Sequence, residues 1–71
     1  MDKNFLFNEL YHSSDSKKHF IKVVKHTPDT TIEEYTRTLE QLEAEGKIMN
    51  EECKLYQDTL EPLIKMRGWI R

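Results

Sequence analysis

Two amphipathic patterns fill residues 30–63, joined by Glu45-Gly46-Lys47-Ile48-Met49-Asn50, and they constrain the fold more than any other feature of the chain. Thr30-Thr31-Ile32-Glu33-Glu34 carries a capping box in either of two registers. A threonine hydroxyl accepts from the amide three residues on, and the glutamate there reaches back. Asp29, Glu33 and Glu34 set negative charge against the positive end of a helix dipole. Ile32, Tyr35, Leu39 and Leu42 then recur at steps of three, four and three, which is one stripe of a helix. Glu33 and Arg37 form an i,i+4 pair in the favourable orientation, worth ~0.3 kcal/mol on an exposed face. Gly46 falls where a left-handed residue ends a helix, and Ile48 is placed to fold back on the stripe.

The second pattern repeats the logic. Asn50 is a good N-cap with Glu51 and Glu52 behind it, and Met49, Cys53, Tyr56, Leu60 and Leu63 follow at steps of four, three, four and three. Two such stripes on a short glycine-containing turn predict an antiparallel helical hairpin. Pro62 interrupts it, since proline inside a helix costs roughly 3 kcal/mol, so a kink or break is expected over residues 59–61 with a last helical piece starting at Pro62. Gly68 then reads as that piece's C′ residue, with Trp69 against Ile64. Leu39, Leu42, Gly46, Ile48, Glu51 and Glu52 together resemble the short C-terminal oligomerisation module called SHOCT, in which a leucine-bearing helix ends in a Gly-x-Ile turn before an acidic second helix. The resemblance covers about a third of the chain and implies a helical hairpin that self-associates.

Before the hairpin, Phe5, Leu6, Phe7, Leu10 and Tyr11 lack strand-type alternation, and Leu6 with Leu10 or Phe7 with Tyr11 fits helical i,i+4 contact with Asp2 as cap. Ser13-Ser14-Asp15-Ser16 breaks that pattern. Residues 17–26 read as a second helix with Phe20, Val23 and Val24 on one face; Lys22 between Phe20 and Val24 argues against alternation, while the β-branched residues keep a strand as the alternative. Thr27-Pro28-Asp29 ends the segment. The expected fold is all-α: one domain over residues 1–71, a small bundle of three to four helices around a helical hairpin of about residues 30–64, kinked near Pro62.

The 71 residues allow one core and bury only about 60–65% of their extended surface, so the margin of stability is thin without a partner. No apolar run reaches the ~18 residues of a membrane span, and no signal-peptide core is visible. Cys53, the single cysteine, reads as a buried reduced thiol, and the expected compartment is cytoplasmic. Charge is banded. Residues 15–26 carry four lysines against one acid, residues 32–52 seven acids against two bases, and residues 53–71 four bases against two acids.

No catalytic, cofactor or metal signature stands out. His12, His19 and His26 are seven apart, about 10.5 Å along one helix and too far to share an ion. The expected function is therefore non-enzymatic, with no cofactor: a small regulatory, adaptor or inhibitor protein that binds another protein and forms a homodimer. Its surplus apolar groups nominate Phe5, Phe7, Tyr11, Tyr56, Met66 and Trp69 as partner-binding residues. The alternative is a DNA-binding regulator whose basic helix offers Lys17, Lys18, Lys22 and Lys25 to phosphates, disfavoured because Asp29, Glu33 and Glu34 would face charges of their own sign. An acidic hairpin acting as a DNA mimic is the converse reading.

Overall fold

Along residues 63–70, Ile64, Met66, Gly68 and Ile70 are buried while the alternate positions point the other way, and the strand they define is the centre of the molecule. A computed structural model describes residues 1–58 and 60–71. The elements in chain order are helix α1 (Lys3–His12), strand β1 (His19–Lys25), helix α2 (Ile32–Ala44), strand β2 (Ile48–Tyr56) and strand β3 (Leu63–Ile70). The sheet has the order β1-β3-β2, and both flanking strands are antiparallel to β3. They therefore run parallel to each other, with α2 making the crossover, a split β-α-β arrangement. Both helices lie on one face of the sheet, α1 against β1 and α2 against β2, and they touch each other. Phe20, Leu10, Leu39, Leu42, Ile48, Ile64 and Met66 are fully buried between the layers.

The helices form where local chemistry places them. The Asp2 carboxylate accepts from the amides of Asn4 and Phe5 at 2.9 and 3.3 Å, and Leu6 and Leu10 are the buried pair of α1. Thr31 is the N-cap of α2, its hydroxyl accepting from the Glu34 amide at 3.3 Å, the second of the two registers. Gly46, at φ 75°, ends α2 in a Schellman turn: its amide donates to Glu43 O and the Lys47 amide to Leu42 O, each at 3.0 Å. Lys3 and Glu45 pair across the open ends of the two helices.

The fold is α+β and not an all-α bundle, and the helical hairpin is the main error. Its first arm exists, but its second arm is β2. The inward positions of β2 are Ile48, Asn50, Cys53 and Leu55, because a bulge between Asn50 and Glu52 adds Glu51 to the strand. One inserted residue breaks the two-residue alternation, so Met49 and Tyr56 of the stripe read as helical lie on the outer face and Cys53 on the inner. The resemblance to SHOCT fails at the same place, since its second helix is absent. Leu60 is fully exposed, and Pro62 has no helix to kink. Pro62 precedes β3, where a missing N–H costs no ladder bond, and its carbonyl accepts from the His26 amide at 3.0 Å. The part of the expected break that falls on Thr59 lies outside the described residues. Nor is there a basic helix over residues 17–25. Lys17 and Lys18 form a turn, and Lys22 and Lys25 belong to β1. Lys22 occupies an inward slot between Phe20 and Val24 as a half-buried side chain, its Nζ reaching Glu9 at 3.9 Å; the aliphatic stem fills the slot while the charge stays at the rim.

Gly68 is required for space rather than for φ. It lies on the inner face of β3 opposite Phe20 and Asn50, and a Cβ there would meet Met49 O at 2.3 Å and Phe20 Cζ at 2.9 Å. Gly68→Ala is expected to destabilise the protein by about 1–3 kcal/mol through overpacking. Gly46→Ala, with open space around it, is expected to cost about 1–2 kcal/mol from its left-handed backbone alone. Urea denaturation measures both, and an unchanged midpoint for Gly68→Ala would contradict the packing described.

Candidate functional site

Strand alternation sends one set of side chains beneath the helices and leaves the other set on an open sheet face. The cross-strand register arranges that face in four rows. His19, Trp69 and Met49 form the first; Ile21, Arg67 and the bulge residues Glu51 and Glu52 the second; Val23, Lys65 and Lys54 the third; Lys25, Leu63 and Tyr56 the fourth. Ile21 and Val23 are about half exposed, at 51% and 52%, and Met49 and Trp69 are also exposed. The rings of His19 and Trp69 lie 4.9 Å apart at 56°, a tilted contact that holds the indole at one end of the face. At the other end, Lys54 Nζ stands 5.3 Å from the Tyr56 ring centroid.

Charge on this face is lopsided. Arg67 bonds Glu51 at 2.8 Å, and Lys25 lies 3.4 Å from Glu61. Lys54 and Lys65 are direct cross-strand partners, and among the described residues neither is in a salt bridge. Like charges directly opposite in an antiparallel pair are destabilising. Lys25 and Arg67 occupy diagonal positions to Lys65 and Lys54, so two further cations flank the repulsive pair. The banding of the sequence explains how they meet. The two basic bands fold into neighbouring strands, while most of the acidic band becomes α2, whose exposed Glu33, Glu40 and Glu43 lie on the opposite layer.

The loop before β1 fixes where the first row begins. Asp15 Oδ1 accepts from the amides of Lys17 at 2.9 Å and His19 at 3.0 Å, its own amide donates to His19 O at 2.9 Å, and Lys18 takes up φ 66° within this turn. These amide donors, His19 first and Lys17 second, hold the Asp15 carboxyl below its ordinary value. A depressed folded-state value contributes stability above the unfolded carboxylate range and loses it as pH falls through the folded value. The stability advantage of the native chain over Asp15→Asn is therefore expected to be full at neutral pH and to shrink below about pH 4. Thermal melts of both chains between neutral pH and pH 2 check this, and a constant difference would contradict it.

Of the nominated partner-binding residues, the open face brings together Tyr56 and Trp69 alone. Met66 is fully buried in the core. Phe5, Phe7 and Tyr11 lie on α1, where Phe7 packs against the core with Lys47 Nζ 5.6 Å from its ring and Tyr11 contacts Phe7 at 6.4 Å. Phe5, 64% exposed, and Tyr11, 57% exposed, are six residues and so about 120° apart around the helix, and they make no common patch. Of the nominated lysines only Lys25 is on the open face. Sequence reasoning missed His19, Lys54, Lys65 and Arg67; the signal was the alternation of residues 63–70, hidden by reading Gly68 as a helix terminus.

Other chemistry is sparse. Cys53 faces α2 half-buried, with Thr36 Oγ1 3.7 Å from its Sγ, and burial pushes the thiol up, away from the thiolate a nucleophile needs. His12 ends α1 while His19 and His26 bracket β1, roughly 23 Å of strand apart. Among the described residues no group of three or more His, Cys, Asp or Glu is placed to hold a metal ion, and no helix is long and apolar enough to cross a membrane. Compared with known proteins, the chain matches no family model, no curated protein and no solved structure.

Proposed function

We propose that this protein is a non-catalytic binding module whose open sheet face docks an anionic macromolecule. The observation that carries the reading is the Lys54–Lys65 pair. A cross-strand repulsion on an otherwise well-packed sheet departs from the local rules of sheet stability, and such departures are expected where function requires them. An anion seated over the pair relieves the repulsion, and the free chain carries it. The surrounding apolar side chains, Ile21, Val23 and Met49, supply contact area, and the acid Glu51 on the same face is paired with Arg67 at 2.8 Å. Net charge does not oppose this. Of the acids behind the overall −2, the four on α2 lie behind a helix about 10 Å across, beyond the ~8 Å over which charges act at physiological salt, while on the face itself Glu51 is paired with Arg67. The expected contact with another protein through α1 has less behind it, because its exposed rings are dispersed.

Lys54→Glu separates binding from stability. Replacing like charges by a Glu–Lys pair is expected to leave stability unchanged or raise it by up to about 1 kcal/mol, the lost Lys54–Tyr56 contact offsetting part of the gain. The same change is expected to abolish salt-dependent retention on a heparin matrix. Native chain that passes straight through heparin at low salt, or a Lys54→Glu variant retained as strongly as native, would overturn the proposal.

A further inference from the structure

We infer that the occupant of the open face is a single-stranded nucleic acid, an inference that rests on the anion-binding reading above and names its ligand class. Cations alone would suit any polyanion. What narrows the choice is the placement of rings at both ends of the cationic rows. Trp69, 37% exposed, stands beside His19 in the first row, and Tyr56 closes the fourth. An acidic peptide satisfies lysines with carboxylates and offers nothing that requires flat aromatic faces. A single strand offers both charges and unstacked bases, and base–aromatic stacking tolerates any sequence because every base has a π-face.

The dimensions agree. Successive rows are two residues apart, about 6.6 Å along β3, so the first and fourth rows are about 20 Å apart. That length takes an extended strand of about four nucleotides, the lower end of the range for one small β domain. Phosphates would pass over Lys54, Lys65 and Arg67 while one base stacks on Trp69 and another on Tyr56. Duplex DNA fits less well. Its major groove admits a helix or a two-stranded ribbon, whereas the cations here lie on a three-stranded face. The helix layer that could enter a groove carries the acids of α2. The open sheet thus uses the platform logic by which antiparallel sheets display aromatics to unpaired bases.

Trp69 is the only tryptophan of the chain, so its emission reports directly on the first row. Octathymidylate added to the full-length protein is expected to quench that emission saturably. The logarithm of affinity should fall with the logarithm of salt at a slope of about −2 to −3, for three to four phosphates neutralised. Fluorescein-labelled octathymidylate should bind Trp69→Leu about tenfold more weakly by anisotropy, and Lys65→Glu at least tenfold more weakly, with both variants melting within a few degrees of native. A sixteen-base-pair duplex should compete poorly. Retention on heparin without quenching by octathymidylate, or competition by a polyglutamate peptide as effective as by the oligonucleotide, would overturn the single-strand inference and leave the anion-binding reading standing. Failure to bind heparin, polyglutamate and oligonucleotide alike would overturn both.

Discussion

Phe20 lies over Gly68, and the close approach of these two residues sets the position of everything else. Gly68 has no side chain because the ring of Phe20 and the carbonyl of Met49 already occupy its Cβ position. Phe20, Gly68 and Asn50 form one cross-strand row near an end of the sheet, and Phe20 shares the core with Leu10, Leu39, Leu42 and Ile48 from the helices and β2. A chain this short has few such contacts to lose. With a core of about ten side chains, a single forced displacement in this row is a large fraction of the margin that small domains have.

From that packing follows the division of charge. Once β3 is central, Lys25 of the first basic stretch and Lys54, Lys65 and Arg67 of the second become neighbours on one surface, and the acids of α2 are carried to the other. The sorting is partial, since Glu51 and Glu52 of the acidic band stay on the open face beside Arg67. The open face combines its charges with rings and aliphatic groups. Arg67 and Lys25 are matched there by Glu51 and Glu61, and Lys54 and Lys65 are the cations left facing each other.

How much of this was legible depended on whether the signal was local. Asp2, Thr31 and Gly46 act through hydrogen bonds within a few residues of themselves, so both helices and the turn after α2 could be read from the chain. The strands depend on partners far away. Lys22 fits an inward slot because its stem fills the space while its charge reaches the rim near Glu9 on α1, and Gly68 makes sense only beside Phe20, nearly fifty positions earlier. The Glu51 bulge hid β2 by breaking its two-residue alternation at one point. The binding face was harder still, because Lys54 and Lys65 are unremarkable until the β2–β3 register places one opposite the other.

The bulge has another effect, on the exposed margins of the sheet. β1 and β2 are the outer strands, and a regular unpaired border invites another strand to join it; on β1 the start of that border is covered by Ser14, which bridges Phe20, and by the Asp15 amide, which donates to His19 O. On β2 the extra residue breaks the repeat of donors and acceptors in mid-strand, so an incoming strand finds no continuous ladder. Lys22 and Lys25 place charge along the border of β1. Both features work against lateral growth of the sheet and leave the apolar groups of its outer face to contacts made across that face instead of along its borders.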